Sequence, residues 1–206
     1  MELQVEQIVT WMEKANEKVQ DNKEYLTSLD QAIGDGDHGI NMARGFKEVV
    51  QKVSGSDYET ASDILKDVAM TLMGKVGGAA GPLYGTAFLK LSASVKGKKS
   101  IDYGSFVTGL EEALAGMKQR GKSEQGEKTL IDTWAPVIEE MKKADGFDCD
   151  LLSATAKAAM EKTKDIKATK GRASYLGDRS IGHLDPGSVS SYYLFTSLAE
   201  TIRGGK

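Results

Sequence analysis

Ala43-Arg44-Gly45-Phe46-Lys47-Glu48-Val49-Val50-Gln51-Lys52-Val53 is the stretch on which the fold class turns. Its apolar residues fall at 43, 46, 49, 50 and 53, a spacing that puts side chains on one face of an α-helix. Val49-Val50 alone would also suit a short strand, but its flanks keep the helical period. The same spacing recurs outward in both directions. Toward the N-terminus it appears in Val5, Ile8, Val9, Met12 and Val19, then in Leu26, Leu29 and Ile33. Toward the C-terminus it returns in Leu65–Leu72, Leu83–Leu91, Phe106–Met117, Leu130–Met141, Leu152–Met160 and Phe195–Ile202. No segment sustains a period-two alternation bounded by turns. Each apolar stripe must be buried against another helix, and short connections favour antiparallel neighbours. The expectation is one all-α domain over residues 1–206, a single-domain barrel or bundle of about eight antiparallel helices.

Composition narrows the class. Of the 206 residues, 40% are hydrophobic and 28% charged, enough to bury a core. A net charge of -3 gives no general attraction to nucleic acid or an anionic membrane. No apolar run approaches the ~20 residues of a membrane span, and residues 1–6 do not read as a signal peptide. The single cysteine, Cys149, allows no internal disulfide and fits a cytoplasmic location. Glycine is the anomaly: 23 glycines against three prolines. A glycine costs about 1 kcal/mol inside a helix, so the excess points to loops with special backbone shapes.

Those glycines surround the chemistry. Asp30-Gln31-Ala32-Ile33-Gly34-Asp35-Gly36-Asp37-His38-Gly39-Ile40-Asn41 holds three carboxylates, one near a predicted helix end and two on the loop beyond. Converging carboxylates repel unless a cation neutralises them, and a hard divalent ion is the natural choice. Read alone, the segment fits a helix cap followed by a polar turn equally well. Gly77-Gly78-Ala79-Ala80-Gly81-Pro82-Leu83-Tyr84-Gly85-Thr86 runs small residues into a predicted helix. It suits either a phosphate at the helix start or close helix packing. Gly116–Ser123 matches the Walker A pattern letter for letter, but an amphipathic helix precedes it where a P-loop needs a strand, so that reading is rejected. Lys170–Gly187 is a long polar loop carrying Arg172 and Arg179, of the kind that serves as a lid or binding loop. His38 and His183 both lie in glycine-rich segments and neither looks like a core histidine. Trp11 and Trp134 are expected in the core, and Cys149 has no visible base partner.

Four ordered blocks together resemble the L subunit of dihydroxyacetone kinases and the matching C-terminal domain of single-chain forms. They are Asp30 with Gly34–Met42, Gly77–Thr86, Gly126-Glu127-Lys128-Thr129-Leu130-Ile131-Asp132, and Gly171–Gly177 through Gly182-His183 to Asp185-Pro186-Gly187. The resemblance implies a barrel of eight antiparallel helices with ADP or ATP at one end. It implies two Mg²⁺ ions held by Asp30, Asp35 and Asp37. It implies nucleotide contacts from His38, Gly39, Ile40, Asn41, Ala79, Ala80, Gly121, Leu130, Arg172, Asp185, Pro186 and Gly187, with Arg172 as the catalytic residue. The family often has Ser where Ala80 stands, so a hydroxyl contact to phosphate is missing here.

The resemblance further implies a separate K subunit that holds dihydroxyacetone, since the domain for that task is not in the sequence. In phosphotransferase-linked members an M subunit, a phosphohistidine protein, rephosphorylates ADP. Homodimerisation is left open. Other open readings are the same fold serving another acceptor, a keto-sugar or a fatty acid, and a nucleotide-bound partner of a transcription regulator.

Overall fold

The structure, a computed structural model, describes residues 2–205. Nine α-helices account for most of it: α1 (Val5–Asp21), α2 (Lys23–Ile33), α3 (His38–Ser54), α4 (Ala61–Lys75), α5 (Ala80–Ser94), α6 (Tyr103–Gly121), α7 (Ile131–Lys143), α8 (Cys149–Lys162) and α9 (Pro186–Gly204). Two short strands, β1 (Glu2–Gln4) and β2 (Ser100–Asp102), pair antiparallel with Leu3 opposite Ile101. Three residues are too few to display an alternation, so periodicity could not reveal these strands.

The helix starts follow local chemistry. The Thr60 hydroxyl accepts from the Asp63 N–H at 3.1 Å to open α4. Asp102 accepts from the Ser105 N–H at 2.9 Å to open α6. Asp148 takes the N–H groups of Asp150 and Leu151 at 2.9 Å each to open α8. Each satisfies donors that a bare helix end leaves unpaired.

The helices close into a ring: α3 packs on α4, α4 on α5, and so on through α9, which packs back on α1, which packs on α3. Both α1 and α2 pack on α3 and α9, and only sparsely on each other. They therefore share one position in the ring, broken at Asn22, and nine helices make eight staves. Trp11, Phe46, Phe88, Phe106 and Phe195 fill the interior. The Trp11 ring lies 5.6 Å from Phe88 and 6.2 Å from Phe106, and Trp134 lies 4.9 Å from Phe195. Both indoles donate inward, Trp11 to the Leu194 carbonyl at 2.8 Å and Trp134 to the Ser191 hydroxyl at 2.9 Å.

Neighbours joined by direct connections run antiparallel around the ring, so alternate connections gather at the same end. The α2–α3, α4–α5, α6–α7 and α8–α9 connections share one end, and β1 and β2 pair away from it. The last of these, the long polar loop of the sequence, carries regular structure: 3-10 turns span Arg172–Ser180, kinked at Gly177 where φ is 56°.

The small residues that open α5 divide between two roles. A Cβ on Gly81 would sit 2.2 Å from the Val76 carbonyl oxygen and 3.1 Å from that of Leu72. One on Gly85 would sit 2.1 Å from the Met73 side chain. These two glycines let α5 lie against α4. Gly81→Ala gains up to about 1 kcal/mol of helix propensity. The collision with backbone should outweigh that gain and destabilise the fold by about 1–3 kcal/mol in urea unfolding. A variant as stable as the parent would show that the two helices are not held in close contact there.

Candidate functional site

The α2–α3 connection is built around Asp30. This buried carboxylate accepts from the backbone N–H of Asp37 at 2.9 Å and of His38 at 3.0 Å, folding residues 34–37 back over the end of α2. Gly34 makes room for it, since a Cβ there would lie 2.1 Å from Asp30 Oδ1. Gly36 supplies the turn at φ 75°, a conformation side chains resist. As a result one carboxylate oxygen from each of Asp30, Asp35 and Asp37 lies within 4.8 Å of the others. The Arg172 guanidinium reaches across from the α8–α9 connection to Asp35 at 2.8 Å. Three carboxylates against one guanidinium leave two negative charges on the cluster, and its donors are hard oxygens. That set suits a divalent ion.

The cluster forms one wall of a cleft of about 490 Å³ at the end where the alternate connections meet. Asp30, Asp35, Asp37, His38 and Asn41 line it from α2, α3 and the connection between them, and Gly77, Gly78, Ala79, Ala80 and Leu83 from the α4–α5 connection and the start of α5. Leu130 lines it just ahead of α7, Arg172 from the α8–α9 connection, and Asp185, Pro186 and Gly187 from the start of α9. Four helices thus begin at this cleft. Unpaired N–H groups at a helix start, with the dipole behind them, favour a bound anion.

Three residues expected here stand outside the lining. Gly39 is buried against α2, where a Cβ would lie 2.1 Å from the Lys23 carbonyl oxygen. Ile40 is 52% exposed on the surface. Gly121 ends α6, with Lys122 as its left-handed cap at φ 49°. Helix, not strand, runs through the Walker-like segment, in keeping with rejection of a P-loop.

His38 corrects an expectation. It is buried, and its Nε2 lies 3.0 Å from the Ser190 hydroxyl. Burial pushes its pKa down to about 4, against the pull of Asp30 and Asp37. It is a neutral histidine inside the barrel, whereas His183 is exposed. Its environment is a polar layer under the cleft: the Tyr84 hydroxyl lies 2.8 Å from that of Ser190 and 2.7 Å from that of Ser191. Apolar patterning cannot reveal a core histidine whose side-chain partner is a serine.

Residues 32–200 match the DAK2 domain family. The PEP-dependent dihydroxyacetone kinase 1, ADP-binding subunit DhaL, of Listeria innocua is 50% identical over 93% of this chain and 93% of its own length. The PTS-dependent counterpart of Lactococcus lactis is 46% identical over 97% of this chain and 99% of its own. The PEP-dependent counterpart of Escherichia coli is 39% identical over 97% and 98%.

This chain belongs to the DhaL family, built on the DAK2 domain. The solved dihydroxyacetone kinase of C. freundii has the same fold, with a TM-score of 0.76 at 22% identity over 94% of this chain. In its complex with AMP-PNP and Mg²⁺ the TM-score is 0.74 at 23% identity. This DhaL-family chain spans about a third of that protein, 34% in the native form.

Sequence reasoning passed over Lys128, which lies in a quoted block but carries no visible role there. It is 1% exposed, lines the cleft, and sits at φ 61°. Burial pushes its ammonium pKa down, while Asp185, Asp165 and Asp132 pull it back up. The positive φ has no signature in composition or spacing.

Asp185 caps α9, its Oδ2 accepting from the Ser188 N–H at 2.6 Å. Burial pushes its pKa up to about 7; the bonds from Ser188 oppose this, Asp132 adds to it, and Lys128 opposes it. A carboxyl that holds its proton to higher pH when folded stabilises the fold fully below its ordinary value of 3.8, and that stability is lost as pH rises through about 7. Asn caps a helix as well as Asp does. Asp185→Asn should therefore cancel a wild-type loss of about 2–3 kcal/mol between roughly pH 5 and pH 8, read from urea melts without nucleotide or metal. Parallel pH profiles for the two proteins would show that the carboxyl is ionised throughout.

Proposed function

We propose that this chain is the ADP-binding subunit of a dihydroxyacetone kinase driven by phosphoenolpyruvate. The observation that carries the reading is the meeting of three carboxylates with four helix starts in one cleft. It is supported by near-full-length identity to DhaL subunits. Asp30, Asp35 and Asp37 would hold Mg²⁺, two ions with a nucleotide's phosphates beside them. Bound there, the magnesium nucleotide supplies the transferable phosphoryl group and the charge that offsets its oxygens.

The chain itself contributes position and field. The starts of α3, α5 and α9 open on the cleft with their dipoles behind them, and Ala79 and Ala80 keep the approach to α5 free of bulk. Ala80 offers its backbone but no hydroxyl. Leu83, Leu130 and Ile33 line the cleft with apolar surface suited to a nucleobase. Neutral His38, tied to Ser190, holds the base of the cleft without adding positive charge to compete with the metal. Arg172 is the mobile-length cation: paired with Asp35 here, its guanidinium has the reach to meet charge developing on a transferring phosphoryl group. Gly39, Ile40 and Gly121 would act from behind the lining, through packing and surface, rather than by direct contact with nucleotide.

The acceptor would be dihydroxyacetone held by a K subunit, with a phosphohistidine-carrying M subunit as the donor to ADP. The setting would be cytoplasmic. Among the described residues no helix is long and apolar enough to cross a membrane.

Asp35→Asn and Asp37→Asn should each weaken magnesium-dependent ADP binding at least about tenfold in calorimetric titration, with the helical circular dichroism unchanged. Unaltered ADP affinity in both would remove the metal assignment. A protein that keeps ADP as a coenzyme should also leave purification with ADP bound in near-stoichiometric amount. An empty cleft that takes up ATP freely would instead point to ATP as the direct donor.

A further inference from the structure

Lys128 is the only buried lysine or arginine among the described residues. Its Nζ donates to four backbone carbonyls: Thr163 at 2.9 Å, Ile166 at 3.1 Å, Ser180 at 2.7 Å and His183 at 2.6 Å. An ammonium has three protons, so at least one is shared between two carbonyls. A neutral amine would turn a lone pair toward one of these oxygens, so the geometry belongs to the charged form.

The four carbonyls come from two limbs of one segment. Residues 163–185 leave α8, run past the cleft, and return to start α9. Thr163 and Ile166 lie on the outgoing limb, Ser180 and His183 on the returning one. Smaller ties join the limbs around the ammonium: Gly182 N–H to the Lys164 carbonyl at 2.8 Å, Ala168 N–H to the Ser180 hydroxyl at 2.9 Å, and Asp185 N–H to the Thr163 hydroxyl at 3.1 Å. Between the limbs the strap carries Arg172, whose pairing with Asp35 involves a side chain 67% exposed. An exposed ion pair holds little by itself. Apart from a small apolar contact of Ala168, Ala173 and Leu176 with Ile33, the order of the strap therefore comes from its clasped base.

We propose that Lys128 is a positioning residue: its ammonium clasps both limbs of the 163–185 strap and so sets Arg172 and Asp185 at the cleft. The proposal rests on the functional reading above for its ligand, though the clasp itself can be tested without one. A competing explanation is that Lys128 matters only as a turn residue in the left-handed region. Glycine distinguishes the two, because it adopts that backbone conformation freely and carries no ammonium.

The test uses the full chain with Lys128→Gly and Lys128→Met, and two readouts: amide hydrogen exchange along 163–185 and ADP–Mg²⁺ titration. In both variants the strap amides should exchange at least about tenfold faster while those of α4 and α5 keep their protection. ADP affinity should fall about tenfold, as the fraction of molecules with an ordered strap falls. Propylammonium added to Lys128→Gly should restore both readouts. It should do nothing for Lys128→Met, where the side chain fills the space, and tetramethylammonium, which cannot donate, should restore neither.

Wild-type protection and affinity in Lys128→Gly would overturn the clasp. So would a loss that propylammonium cannot reverse, including a failure to fold. Recovery of folding by propylammonium would support it. A wild-type protein that does not bind ADP would sink the functional reading alone, since strap exchange in the same samples still decides the clasp.

Discussion

Closure of the helices into a ring is the constraint from which the rest follows. A ring of antiparallel staves sends every second connection to the same end, and here those connections are α2–α3, α4–α5, α6–α7 and α8–α9. Each leads into the start of a helix. One end of the barrel thus collects four helix starts, with the positive ends of their dipoles, without any residue being chosen for that purpose. Placing acids at the same end then makes a site with both polarities, amides for anionic oxygens and carboxylates for cations. At the opposite end, with the β1–β2 pairing, Thr60, Asp102 and Asp148 cap the starts of α4, α6 and α8, and among the described residues no such acid cluster lies there.

Electrostatic strain at that end is managed locally. Asp30 is buried, yet accepts two backbone N–H groups; Asp185 is a helix cap; Lys128 is surrounded by carbonyls. Asp30 and Lys128 are met by backbone dipoles rather than by a partner of opposite sign, and burial keeps the proton on Asp185 up to about pH 7. For Asp30 and Lys128 this leaves the charge itself available to the cleft, because a dipole lowers the cost of burial without neutralising the ion. The direct ion pair at the cleft among the described residues, Arg172 with Asp35, is exposed on the arginine side and so is readily exchanged for other partners.

Periodicity made the helices legible because a barrel buries one face of each stave, which is what a stripe records. It could not show that the stripes of α1 and α2 occupy one place in the ring, since the break at Asn22 leaves both stripes intact. Nor could it show β1 and β2, three residues each. At the site, the acid cluster was readable because Asp and Gly alternate along one loop, and the helix starts because small residues precede them. His38 was misjudged because its partner in the interior is a serine, Ser190, which leaves no apolar pattern. Gly39 and Gly81 were ambiguous for a different reason. A glycine in a sequence does not say whether it clears space for a ligand or for a neighbouring backbone, and here it is the neighbouring backbone at both positions.

The two sides of the cleft differ in how they are held, and that difference has a chemical logic. Asp35 and Asp37 sit on a connection of four residues between α2 and α3, pinned to Asp30 in the last turn of α2, so the spacing of the carboxylates is set by covalent geometry and two hydrogen bonds. Arg172 sits on a connection of more than twenty residues, with its order imposed at the base, near Lys128, and by a small apolar contact of Ala168 and Ala173 with Ile33. A metal needs ligands whose separation is already correct, because repulsion among carboxylates would otherwise drive them apart. A cation that answers charge on a transferring group needs reach instead. Short and rigid for the acids, long and clasped for the arginine, is the arrangement that meets both demands in a single cleft.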